Sequence, residues 1–75
     1  MFGVVRMAYK GPFSIKNGNY LYRCVVMLTK KDDSVFFEEM PVFYSDKASL
    51  DELELAEVNA YWNKERGWCG TIKEL

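Results

Sequence analysis

Ser49-Leu50-Asp51-Glu52-Leu53-Glu54-Leu55-Ala56-Glu57-Val58-Asn59-Ala60-Tyr61-Trp62-Asn63-Lys64-Glu65-Arg66-Gly67 is the stretch on which the reading of this chain turns. Ser49 followed three residues later by Glu52 fits a capping box, in which the serine oxygen accepts from the Glu52 amide and the Glu52 carboxylate reaches back to the serine amide. Acids crowd the first turns, Lys64 and Arg66 stand in the last, and Gly67 offers the left-handed residue at which helices commonly stop. The pattern predicts a helix from Ser49 to Gly67. At about 100° per residue, Leu50, Leu53, Ala56 and Ala60 form one apolar stripe with Tyr61 at its margin, while Leu55, Val58 and Trp62 form a second on another face. One helix on one sheet buries one stripe well. The second stripe either packs beneath the N-terminal segment or the closing strand, or stands exposed as a contact surface, where tryptophan is a favoured anchor.

Upstream of this stretch the chain reads as strands. Phe2 to Tyr9 is rich in Val, Met and aromatic residues, Gly11-Pro12 interrupts, and Phe13-Ser14-Ile15 resumes toward Asn17-Gly18. Asn-Gly accepts the positive φ angles of a type I′ turn, so a hairpin is expected there, with Tyr20 to Thr29 as its second arm. Lys30-Lys31-Asp32-Asp33 makes a polar turn, and Val35 to Tyr44 has strand composition again. Pro41 has no amide to donate, which places this third strand at an edge or a bulge. Period-two counting puts Tyr20, Tyr22, Cys24, Val26 and Leu28 on the core face of the second strand. The third strand presents either Phe36, Met40, Val42 and Tyr44 or Val35, Phe37 and Phe43, according to one residue of register. After Gly67, Trp68-Cys69-Gly70-Thr71-Ile72 reads as a closing strand. The expected fold is therefore α+β, a single domain over residues 1–75 with order β-β-β-α-β. Its sheet is mostly antiparallel, with one helix packed across a face and strand order 3-2-1-4 through a right-handed crossover.

Composition narrows the chemistry. The chain has 75 residues, 49% hydrophobic and 28% charged, which is globular and large enough for one small core. Histidine is absent, removing the commonest general base near neutral pH, and no catalytic or cofactor motif stands in its place. A binding protein without cofactor or metal is expected rather than an enzyme. Cys24 and Cys69 lie too far apart for a zinc knuckle or a redox pair, and are read as buried thiols or as a disulfide between neighbouring strands. Asp32-Asp33-Ser34 lacks the spacing of a calcium loop, and Glu38-Glu39 point to opposite faces of a strand. Asn17-Gly18-Asn19 leads into no helix that could hold an anion. The longest apolar run, Cys24 to Leu28, is far short of a bilayer span, and Met1 to Arg6 reverses the order of a secretory signal, so a cytoplasmic protein away from membranes is expected.

Charge is segregated along the chain. Residues 1–31 carry Arg6, Lys10, Lys16, Arg23, Lys30 and Lys31 without an acid, a total of +6. Residues 32–57 carry Asp32, Asp33, Glu38, Glu39, Asp46, Asp51, Glu52, Glu54 and Glu57 against Lys47, a total of −8. Such an arrangement steers an oppositely charged partner, unless hairpin pairing interleaves the signs in space. Two functional readings follow. Tyr9, Phe13, Tyr20 and Tyr22, interleaved with Lys10, Lys16 and Arg23, could stack and neutralise single-stranded nucleic acid. Alternatively, Asp51 and Glu54 beside Leu55, Val58 and Trp62 could combine steering with a dry centre against a basic protein groove.

The second reading has a resemblance beside it. Pro41-Val42-Phe43-Tyr44, then Leu50-Asp51-Glu52 and Leu53-Glu54-Leu55-Ala56-Glu57, then Gly67-Trp68 resembles the layout of small bacteriophage proteins that disable a host machine, among them the short phage inhibitor of bacterial RNA polymerase and anti-CRISPR proteins. The likeness covers about half the chain. The polymerase inhibitor carries arginines in its final strand, where this chain has only Lys73 after Ile72. The resemblance implies an inhibitor acting in the host cytoplasm, whose acidic surface competes with nucleic acid for a host protein. Its contact residues are expected at Asp51, Glu54, Leu55, Val58 and Trp62, on a surface that could also pair two copies of the chain.

Overall fold

The alternation in residues 20–29 survives folding intact. In a computed structural model, which describes residues 1–75, this segment is the strand β2 (Tyr20–Thr29), and Tyr22, Cys24, Val26 and Leu28 are fully buried on one side of it. Tyr20 packs against their cluster from its margin. Around β2 the chain forms β1 (Phe2–Ser14), β3 (Val35–Tyr44), a one-turn helix α1 (Leu50–Leu53), β4 (Glu57–Asn63) and β5 (Gly67–Glu74). β1 with β2 and β2 with β3 are the expected antiparallel pairs. Leu28 opposite Phe36 and Cys24 opposite Met40 settle the open register of β3, turning Phe36, Met40, Val42 and Tyr44 toward the inside.

The long helix is not there. Its capping box forms, with the Glu52 amide donating to Ser49 Oγ and the Ser49 amide to Glu52 Oε1, both at 3.2 Å. After one turn the chain leaves the helix at Leu55, whose φ is 64°. The Leu55 amide then donates to the Val5 carbonyl at 2.8 Å, and the Val5 amide to the Ala56 carbonyl at 3.0 Å. A helix would satisfy its own backbone but leave the outer edge of β1 with unpaired amides and carbonyls, so the sheet recruits this segment as a strand. The residues allow it, because Val58 and Ala60 point inward with polar Asn59 between them. Gly67 is left-handed as expected, with φ of 82°, but it closes the β4–β5 hairpin instead of a helix.

These pairings roll the sheet into a closed barrel in the order β1-β2-β3-β5-β4, which replaces the expected order 3-2-1-4. β1 meets β4 at Phe2, Gly3 and Val4, and β5 runs parallel to β3 through Val42–Gly70 and Phe43–Thr71. The closing strand thus sits beside β3 and β4, away from β1. Residues 35–41 of β3 make no ladder pairs on that side, which is where Pro41 loses nothing by lacking an amide. Bulges after Val5, Ala8 and Lys10 bend β1 enough to serve both neighbours. The interior is tight: a Cβ on Gly70 would lie 2.5 Å from Val58 Cγ1, so only glycine lets β4 and β5 close there.

The one-turn helix packs against β1, and its Leu53, with Ala48 and Ala56, joins the central cluster. Tyr22 anchors this segment: its hydroxyl donates to the Ala48 carbonyl at 2.7 Å and accepts from the Ala48 amide at 2.8 Å. Burial raises the Tyr22 pKa above its ordinary value. Cys24 and Cys69 are both buried and unpaired, and burial pushes the Cys24 thiol up to about 12. Cys24 belongs to the central cluster while Cys69 does not, so the barrel wall separates them.

Candidate functional site

Directly opposed residues of neighbouring strands share a face, so the two registers of β2 define what the outer surface of β1, β2 and β3 displays. Four rows cross it: Val4, Met27 and Phe37; Met7, Val25 and Glu39; Lys10, Arg23 and Pro41; Phe13, Leu21 and Phe43. Nine of these twelve positions are apolar, and the other three are charged. The bulges add two more side chains to the same surface. Arg6 lays its guanidinium 3.9 Å from Met27 Sδ, and Tyr9 reaches across β2 to donate its hydroxyl to Glu39. Phe13 is 48% exposed, Met7 52% and Phe37 57%, which for side chains of this size is a large apolar surface left in water.

Charge on this surface favours an anion. Arg6, Lys10 and Arg23 face one acid, Glu39, which is already engaged by Tyr9 and by Arg23 Nη2 at 3.4 Å. The Tyr9 hydrogen bond, and after it the Arg23 contact, hold the Glu39 carboxyl below its usual range. Tyr9 and then Glu39 raise the Arg23 guanidinium above its ordinary pKa. Arg23–Glu39 is the chain's single ion pair, formed where the β2–β3 pairing brings an acid of the second segment among the cations of the first. Most of the acids from Asp46 to Glu57 lie exposed along the connection from β3 to β4.

Of the aromatic residues expected to bind nucleic acid, Tyr22 is buried and Tyr20 faces inward, so neither is available. Tyr9 and Phe13 do lie on the outer surface with Lys10 and Arg23, and Lys16 is exposed in the hairpin turn beyond them. Phe37 and Phe43 join them, a contribution hidden from the sequence because it depends on the register of β3.

The expected inhibitor surface comes apart. Asp51 is exposed on the one-turn helix, Glu54 caps its end, and Leu55 is 70% exposed in its left-handed turn. Val58 is fully buried inside the barrel and can touch no partner. Trp62 lies seven residues beyond Leu55 on an extended strand, about 20 Å along the chain instead of two helical turns. There it packs edge-on against Trp68 with ring centroids 5.7 Å apart, and Trp68 in turn meets Phe36 at 5.9 Å. The Lys30 ammonium sits 5.3 Å from the Phe36 ring centre.

No cluster of three or more His, Cys, Asp or Glu side chains is arranged to hold a metal ion, and no helix is long and apolar enough to cross a membrane. Comparison of the chain with protein-family models, curated proteins and solved structures finds no match.

Proposed function

We propose that this protein binds single-stranded nucleic acid across the outer face of β1, β2 and β3. The observation that carries the reading is the register that gathers Tyr9, Phe13, Phe37 and Phe43 with Arg6, Lys10 and Arg23 on one continuous surface. Aromatic rings offer a stacking platform to any base, and the cations track the phosphates between them. A five-stranded barrel that binds through the faces of its second and third strands resembles, at the level of architecture, the oligonucleotide- and oligosaccharide-binding folds. Three cations on the face favour a polyanion over a neutral sugar chain. Phe37 and Phe43 stand six residues apart on β3, about 20 Å along the strand, a span that suits roughly 4 nucleotides.

Fluorescence anisotropy with a labelled oligothymidylate tests the reading. Binding should weaken steeply between 50 and 200 mM salt, and each lost cation should flatten the log–log slope by about 0.7. Replacing Arg6, Lys10 and Arg23 with Ala should therefore remove most of the salt dependence, while Asp51→Lys with Glu54→Lys leaves binding in place. Absence of binding at 50 mM salt, or binding untouched by the triple replacement, overturns the proposal.

A further inference from the structure

The Trp62–Trp68 pair stands outside the surface just described. We infer that it is a second stacking station, reached when a bound strand passes from Phe37 around the unpaired edge of β3, so that one nucleobase stacks on Trp62. The inference rests on the nucleic-acid reading above. Phe36 and Phe37 are consecutive in β3 and point to opposite sides of it; Phe37 ends the outer face, and Phe36 packs on Trp68. Residues 35–41 of β3 make no ladder pairs on the β5 side, where the Trp68 ring meets Phe36, so the route between the two faces crosses no paired strand. Lys30 marks the corner, with its ammonium over Phe36 and its stem lining an open depression with Phe2, Thr29 and Lys31 at the foot of the outer face. Trp62 is 64% exposed although it occupies an inward-phased position of β4, and its ring meets that of Trp68 nearly at right angles. Charge adds little here, since Lys30, Lys31, Lys64 and Arg66 are matched by Asp32, Asp33, Glu38 and Glu65. The station therefore contributes stacking, not counterion release.

The chain has two tryptophans, both in this cluster, so tryptophan fluorescence, excited beyond the tyrosine band, reports on it alone. An oligothymidylate of four residues should bind the outer face without quenching tryptophan, and one of eight should bind more tightly and quench it. Trp62→Ala should weaken the eight-residue oligomer about tenfold, in line with the loss of one stacked base, and leave the four-residue affinity unchanged. The statistical gain from overlapping registers on the longer strand survives in the variant. Trp62 is largely exposed, so the variant should keep its fold; if its melting midpoint collapses, wild-type quenching by the two lengths decides alone. Equal quenching by both lengths, no quenching by the longer one, or equal weakening of both in the variant overturns the second station and leaves the outer-face reading standing. Failure of the wild type to bind either length sinks both.

Discussion

The two flanks of the barrel share one interior and differ outside. Under both, the inward positions are apolar: Val5, Cys24, Val26 and Val42 on one side, Val58, Ala60 and Gly70 on the other. On the outside, β4 and β5 present Asn59 beside Thr71, with Asn63 beyond Tyr61, the polar surface that water favours. β1, β2 and β3 instead present Met7, Phe13, Leu21, Val25, Met27, Phe37 and Phe43, broken by Arg6, Lys10, Arg23 and Glu39. Folding requires the first kind of pattern and gains little from the second. The β4–β5 flank exposes Tyr61 and Trp62, but the broader apolar area of the other flank, with cations set into it, is what the proposed binding rests on.

The largest expected effect breaks this contrast directly. Replacing Tyr9, Phe13 and Phe37 with Ala should weaken oligonucleotide binding by at least about a hundredfold, at roughly 1–3 kcal/mol per stacked base. The matched triple replacement of Asn59, Tyr61 and Thr71 should leave binding within about threefold. Anisotropy titrations of both triples, with melting curves as a fold check, separate the flanks; equal losses erase the distinction between them.

The interior makes the next prediction. Tyr22→Phe removes the only side-chain partner of the buried Ala48 amide and carbonyl, and should cost about 1–3 kcal/mol in a urea titration. Oligonucleotide affinity should hold, because the outer face does not use this hydroxyl.

A smaller effect appears in alkali. The Cys24 thiol rises from 9.0 to about 12 in the folded protein. The unfolded chain therefore loses this proton first, and the stability present below pH 9 declines toward pH 12 at about 1.4 kcal/mol per unit or less. Tyr22, raised in the same direction, adds to the loss once the pH passes its ordinary value of 10.0. Urea midpoints measured between pH 8 and 11 should fall, with a shallower slope in Cys24→Ala. An equal slope in that variant removes Cys24 as the cause.

The smallest prediction sharpens the charge on the face. Glu39→Gln deletes the single acid among the three cations and releases Arg23 from its ion pair. Affinity should rise about two- to fivefold, the scale of an exposed pair, and more so at low salt. Weaker binding would show that Glu39 positions Arg23 and Tyr9 instead of restraining them.

Much of the barrel is legible along the chain. The hairpin near Asn17-Gly18, the inward set of β2, the edge character of β3 at Pro41 and the capping box at Ser49 all follow from interactions between near neighbours, although only Gly18 takes positive φ and the turn is not the type I′ expected. The fate of Leu55 to Gly67 was not decided there. Good helix formers and a cap favour a helix locally, while Val58, Asn59 and Ala60 alternate as a strand; the balance tips only when β1 offers an edge with unmet hydrogen bonds. The candidate site divides in the same way. Arg23 and Phe13 lie on strands whose alternation is plain, but Phe37 and Phe43 reach that face only through the β2–β3 register, and Tyr9 and Arg6 only through bulges in β1. Sequence determined β1, β2, β3 and the closing strand together with the segregation of charge, because those are local. Tertiary structure decided which residues share a surface, because a one-residue shift in pairing turns every side chain of a strand to its other face.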